Sequence, residues 1–175
     1  MTNKIIGIQG DKLDKINISS DTSIFLAHEA QKLGYKIFYY TPSNLSIIKN
    51  KTYANGVFVK FNYERKKFYK IYKKQKVDVE NLKFILIRQD PPFNSEYLIT
   101  TLILDGLKKV KVINNPTAIR NVSEKLYSKH FIKFMPNTLF SNNIDEIRKF
   151  YKQNKSIIMK PINGYGGNQI HLIQN

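Results

Sequence analysis

The sequence contains no cysteine, which excludes disulfides and thiolate metal sites. It has no apolar run near the roughly 20 residues that a membrane-spanning helix requires. The opening stretch MTNKIIGIQGDK carries too short an apolar segment for a secretory signal. These absences predict a soluble, cytoplasmic protein with no membrane partner. Acidic residues are scarce, 13 against 29 lysines and arginines, giving a formal net charge of +16. None of the acidic residues follows Glu146. There is no internal repeat and no linker rich in proline, glycine and serine.

What is present suffices for a folded core. A chain of 175 residues buries roughly 70% of its unfolded surface on folding. Apolar residues make up 42% of it, with 11 Phe and 11 Tyr, which argues against disorder. The positive charge admits nucleic acid, an anionic membrane or anionic small substrates. Lysine outnumbers arginine 25 to 4, and Asn and Ile are also abundant. All three have AT-rich codons, so nucleotide bias accounts for part of the charge. The densest basic segment, ERKKFYKIYKKQK (Glu64–Lys76), interleaves lysine with Tyr and Phe. It reads as a solvated face with its aromatic side inward rather than as a nucleic-acid surface.

Periodicity gives an α/β pattern. Lys4–Gln9 and Tyr35–Tyr40 read as strands flanking a helix that Ser20 or Asp21 caps and Gly34 stops, with Leu26, Ala30 and Leu33 on one face. Strand–helix–strand is the unit of a parallel sheet. SIIKNKTYANGVFVKFNYE predicts a β-hairpin with its turn near Asn50-Lys51 or Asn55-Gly56. LKFILIRQD is a buried strand entering a polar loop. Ser95 is placed to cap a helix carrying Leu98, Thr101, Leu102 and Asp105 at helical spacing. KVKVINNP gives another strand, followed by short helices at Ala118–Asn121 and around Glu124–Phe131. IDEIRKFYKQN is an amphipathic helix presenting Ile144, Ile147 and Tyr151.

The segment SIIMKPINGYGGNQIHLI reads as strand, glycine loop, strand. A P-loop and a Rossmann fingerprint both need a helix after the glycines, so both are poor fits. A plain hairpin turn remains, or a glycine flap over nucleotide phosphates. In the second case Gly164, Gly166 and Gly167 offer backbone N–H groups and Lys160 adds a cation. RQDPPFN (Arg88–Asn94) follows a buried strand, at the sheet end where α/β proteins bind ligands. Arg88 can fork a carboxylate there, or simply pair with Asp90 in a stiff turn. Lys125, early in a short helix, is an ordinary surface lysine on local grounds. His28, His130 and His171 show no metal spacing.

Four segments in order, INISSDTS with EAQKLGY, ILIRQDPPFN, VINNPTAIRNVSEKLY and IIMKPINGYGG, resemble the prokaryotic glutathione synthetases, which are ATP-grasp ligases. The resemblance covers nearly the whole chain. It implies an α/β, mostly parallel open sheet with flanking helices over 1–120, a substrate domain, and an incomplete ATP-grasp domain over 121–175. It implies the ATP- and Mg2+-dependent joining of γ-glutamylcysteine to glycine through an acyl phosphate. It implies that Lys125, Lys160 and the Gly164-Tyr165-Gly166-Gly167 flap hold ATP, and that Arg88, Asp21 and Ser23 face the peptide. The family's metal carboxylates come late, where this chain has none. That predicts the first part of such an enzyme, truncated or split, inactive alone, with its metal ligands in a missing C-terminal part. The C-terminal half is then a candidate separate chain, and the complete enzyme a homo-oligomer. A non-catalytic nucleotide- or peptide-binding remnant, and a basic nucleic-acid-binding protein, are the alternatives.

Overall fold

The structure, a computed structural model, describes residues 4–63 and 67–174. In chain order the elements are β1 (Ile5–Gln9), α1 (Thr22–Lys32), β2 (Lys36–Tyr40), β3 (Leu45–Ile48), β4 (Lys51–Phe61), β5 (Tyr69–Asp78), β6 (Phe84–Ile87), α2 (Ser95–Asp105), β7 (Lys111–Ile113), α3 (Pro116–Asn121), α4 (Ile144–Asn154), β8 (Ser156–Met159) and β9 (His171–Gln174). They divide into two units, Met1–Arg120 and Asn121–Asn175.

The first unit is built on β1. It pairs in parallel with β2 on one side and β6 on the other, and β6 pairs in parallel with β7. Strands covered on both faces read as continuous apolar runs, and IIGIQ, KIFYY and FILI do so. Beyond β2 the sheet turns antiparallel: β4 pairs with β2, β3 and β5. The sheet is therefore mixed, with helices on both faces. One core layer joins Ile24 and Ala27 of α1 to Ile6, Ile8, Ile37, Tyr39, Val59 and Phe61. The other joins Leu104 of α2 to Phe38, Tyr40, Phe58, Ile85 and Ile87.

Of the two turns expected for the hairpin, the one near Asn50 is formed: Lys49-Asn50, both with positive φ (48° and 61°), as a two-residue turn of the mirror-image type requires. Other local expectations are corrected. Helix α1 faces the sheet with Ile24 and Ala27, leaving Leu26 and Leu33 exposed. The reason is Gln31, whose amide donates to the Phe61 carbonyl and accepts from the Phe61 N–H, each at 2.8 Å. That pair of hydrogen bonds to the end of β4 fixes the row containing Gln31 as the inner one. Asn94, not Ser95, caps α2, accepting from the Tyr97 N–H at 2.9 Å. Thr100 and Thr101 take the inner face of α2, while Leu98 and Leu102 are exposed. Their hydroxyls donate to the carbonyls of Tyr97 and Leu98, so they enter the core with their polarity satisfied. The basic segment forms most of β5, an unexpected strand, exposed along Lys70–Lys76. Its residues 64–66 lie outside the described ones.

In the second unit, 121–174, the helix expected around Glu124–Phe131 is a 3₁₀-helix, Leu126–Phe134, broken at Phe131. Helix α4 is as expected, capped by Asn143, whose side chain accepts from the N–H groups of Asp145 and Glu146. It packs against β8, and β8 pairs antiparallel with β9, Met159 opposite His171 and Ser156 opposite Gln174.

Candidate functional site

Two arrangements carry chemistry, one in each unit. The first lies at the C-terminal ends of the parallel strands β1, β2 and β6. The chain leaves β6 at Arg88, whose backbone N–H donates to the Gln9 carbonyl at 2.7 Å. Its guanidinium then reaches the first turn of α1, donating from Nε to Ser23 Oγ (2.9 Å) and from Nη2 to Thr22 Oγ1 (2.6 Å). Asp21 caps that helix by accepting from the Ser23 N–H. The three residues singled out from sequence, Asp21, Ser23 and Arg88, are thus brought together. The Arg88–Asp90 pairing of the stiff-turn reading is replaced by the two hydroxyl contacts.

The sequence reading missed Asp11. Its carboxylate accepts from the Asp90 N–H at 2.8 Å, and its carbonyl accepts from the Tyr39 hydroxyl at 2.7 Å. The available signal was positional: Asp11 lies two residues past β1, at the strand end where ligands sit in parallel sheets. Asp11, Asp21 and Arg88 all act on the Asp90 carboxyl, so the site carries charges of both signs. Partial burial raises the Asp90 carboxyl above its usual range, reinforced by Asp11 and Asp21 and opposed by Arg88. Burial and the same three aspartates raise the Tyr39 phenol.

The sign of the Asp90 shift gives a testable pH dependence. A carboxyl whose folded value exceeds its unfolded one binds more protons when folded, so it favours the fold below both values. That contribution is lost as pH rises from the unfolded value through the folded one. Asp90→Asn removes it. The variant is expected to gain stability relative to the parent as pH climbs from about 4 towards neutrality. Urea melts at closely spaced pH values check this, and a difference that shrinks over that interval contradicts it.

The second arrangement is the glycine loop between β8 and β9. Gly166 and Gly167 have φ of 58° and 76°, values that side chains other than glycine seldom adopt. A Cβ on Gly164 would sit 2.5 Å from Pro161 Cγ, so the close turn back to the proline leaves no room for a side chain there. Lys125, unremarkable locally, donates from Nζ to the Gly164 carbonyl and pairs with Glu124 at 3.3 Å. The fold therefore joins two motifs that are 39 positions apart. Lys160 stands exposed immediately after β8, and Tyr165 is partly exposed on the loop. Ammonium groups and glycine amides are donors of the kind that phosphate oxygens accept, and the structure brings Lys125 onto the loop.

Magnesium is different. Among the described residues no group of three His, Asp or Glu stands close enough to hold a metal ion. Glu124 is tied to Lys125, and Asp145 and Glu146 occupy the first turn of α4. The residues present do not fit that ion. No helix of the structure is long and apolar enough to cross a membrane, among the described residues.

Comparison with known proteins gives two family matches. Residues 5–120 match "Prokaryotic glutathione synthetase, N-terminal domain", and residues 124–175 match "Prokaryotic glutathione synthetase, ATP-grasp domain". A glutathione synthetase of Mesorhizobium japonicum is 36% identical over 163 residues, 93% of this chain and 52% of the relative. One from Buchnera aphidicola of the aphid Acyrthosiphon pisum is 35% identical over 171 residues, covering 97% and 53%. One from Salmonella typhimurium is 34% identical over 173 residues, covering 97% and 54%. The chain thus spans about half the length of the curated relatives it matches.

Proposed function

The chain belongs to the prokaryotic glutathione synthetase family, a family of ligases, and from this premise we propose that it serves glutathione synthesis. In this reading 1–120 is the peptide-binding domain and 121–175 contributes ATP-binding elements. The reaction is the cytoplasmic, ATP-dependent joining of γ-glutamylcysteine to glycine. The peptide carboxylate takes the γ-phosphoryl group of ATP, giving an acyl phosphate and ADP. The glycine amine then attacks the acyl carbon, phosphate leaves, and the amine loses a proton to water.

Each residue has a role in keeping with its contacts. Lys125, Lys160 and the backbone amides of Gly164, Tyr165, Gly166 and Gly167 neutralise and orient the triphosphate. Ser23 and Thr22 hold the Arg88 guanidinium in one orientation, with its charge directed to a carboxylate of the peptide. Asp21 fixes Ser23 by capping α1. Magnesium, which phosphoryl transfer of this kind uses, needs carboxylates from the half of the family's length that this chain does not match. The complete assembly, as one chain or two, is a homo-oligomer.

The observation that best supports the nucleotide part of this reading is the contact between Lys125 and the carbonyl of Gly164. It brings a cation from one motif onto the loop of another, where a phosphate binder needs both. Calorimetric titration of the chain with ATP tests it. Charge-assisted hydrogen bonds contribute about 1.5–3 kcal/mol each, so Lys125→Ala and Lys160→Ala are each expected to weaken ATP binding at least tenfold. Affinity unchanged in both variants, or no binding by the parent, would refute it.

A further inference from the structure

The sequence holds two Asn-Gly pairs, Asn55-Gly56 and Asn163-Gly164. Such a pair is chemically labile: the backbone nitrogen of the glycine closes on the side-chain carbon of the asparagine, with no Cβ on the second residue to hinder it. Closure requires a backbone free to leave the extended conformation. The fold treats the two pairs differently. Asn55-Gly56 lies inside the 11-residue strand β4, opposite Lys76 and Gln75 of β5. Gly56 is also packed on β2, where a Cβ would stand 2.6 Å from the Tyr39 carbonyl oxygen. Ring closure there requires the sheet to open. Asn163-Gly164 lies in the glycine loop, outside β8 and β9. Asn163 is exposed in a turn, and among the described residues nothing bonds its side chain. The Gly164 N–H donates to the Pro161 carbonyl at 3.1 Å, a bond within the loop that opens without disturbing a strand.

We propose that Asn163-Gly164 is a self-modification site, at which the asparagine deamidates through a cyclic imide to isoaspartate and aspartate. The Gly164 nitrogen gives its proton to hydroxide and bonds to Asn163 Cγ. Ammonia leaves with a proton taken from water, and the imide remains. Water then adds to one of the two imide carbonyls. Cleavage between the nitrogen and Cγ gives aspartate. Cleavage between the nitrogen and the main-chain carbonyl carbon gives isoaspartate. In either case an amide and water become a carboxylate and ammonium.

The two products act differently on the loop. Aspartate leaves the course of the main chain as it was. Isoaspartate routes the chain through the former side chain and so inserts a methylene immediately before Gly164. Two contacts fix that glycine, its N–H on the Pro161 carbonyl and its carbonyl under Lys125 Nζ. A longer chain between Pro161 and Gly164 does not keep both. The consequence for ATP rests on the nucleotide reading above: isoaspartate takes the Gly164 carbonyl away from Lys125, and the phosphate-binding form of the loop decays as the chain ages. The modification itself rests only on the loop and its chemistry.

The test begins with the chain incubated in mildly alkaline buffer without nucleotide. Peptide mapping by mass spectrometry follows conversion at 163 and at 55, and an isoaspartyl methyltransferase with a labelled methyl donor reports isoaspartate alone. Conversion at 163 is expected to run at least about tenfold faster than at 55, because opening a sheet costs more free energy than opening a loop. It is also expected to quicken as pH rises, since the attacking nitrogen must lose its proton. Fresh parent, aged parent, fresh Asn163→Asp and aged Asn163→Gln, whose longer side chain closes the ring slowly, are then titrated with ATP by calorimetry. The aged, isoaspartate-rich parent is expected to bind at least about tenfold more weakly, the loss of one charge-assisted contact. The two variants are expected to match the fresh parent. Conversion at 163 no faster than at 55 overturns the site. Isoaspartate at 163 with affinity unchanged, or an equal loss in fresh Asn163→Asp, overturns its stated consequence. If the fresh parent binds no ATP, the nucleotide reading fails and the consequence falls with it, while mass spectrometry still decides the site.

Discussion

Incubated with ATP, γ-glutamylcysteine, glycine and magnesium, the 175-residue chain is expected to form glutathione no faster than a blank without protein. In the proposed reading Lys125 and Lys160 carry positive charge to the triphosphate, but an ammonium group has no lone pair with which to hold a metal. The described residues offer no cluster of carboxylates and histidines in compensation. Metal ions neutralise the charge that develops as the phosphoryl group passes between oxygens. Each 1.4 kcal/mol of lost stabilisation slows the step about tenfold, so losing several leaves turnover below detection. Supplying the unmatched half of a relative, co-expressed or fused, is expected to bring synthesis above the blank. Lys160→Ala in that reconstituted enzyme should then cut the rate a hundredfold or more, in line with the loss of about 3 kcal/mol from a charge-assisted contact. Coupled ADP release by the unassisted chain at a rate comparable with the reconstituted one would show that a metal site has been overlooked.

Gly56→Val is expected to destabilise the first unit by about 3 kcal/mol, at the upper end for overpacking. Gly56 lies inside β4, and a Cβ there would stand 2.6 Å from Phe38 Cζ and 2.6 Å from the Tyr39 carbonyl oxygen. The ring can shift, but the carbonyl belongs to the backbone of β2 and is held by the sheet. Phe38→Leu in the same chain therefore restores only part of the loss. The consequence reaches the site, because the Tyr39 hydroxyl holds Asp11 beside Asp90. Chemical denaturation of the single and double variants measures both effects. Complete rescue by Phe38→Leu would mean that the backbone contact carries no cost.

How much of this was legible in the sequence depends on the range of the interaction. The strands β1, β2 and β6 announce themselves because burial on both faces demands an unbroken apolar run, and the four motif segments identify the family. Strand β5 hid behind its lysines: on the edge of a sheet, neither face has to be apolar, so no alternation marks it. The helix faces were misread for a related reason. Periodicity supplies an apolar row but does not rank two rows against each other. Helix α1 chose the row of Ile24 and Ala27 because Gln31 bonds both backbone groups of Phe61, a partner 30 positions away.

The candidate site divides in the same way. Gly164, Gly166, Gly167, Lys160 and Arg88 could be named from local chemistry, since glycines in a row and an arginine at a strand end are unusual wherever they fall. Asp11 could not, because a lone aspartate in a loop is commonplace until β1 and β6 are set side by side and its carboxylate meets the Asp90 amide. Nor could the contact between Lys125 and Gly164, which exists only because the chain between them folds back. The sequence by itself determined the α/β class, the family and the types of group available for phosphate and carboxylate. The tertiary structure alone decided which of those groups meet. The first are set by residue types and short-range spacing, the second by contacts between residues tens of positions apart, whose closure leaves no local trace.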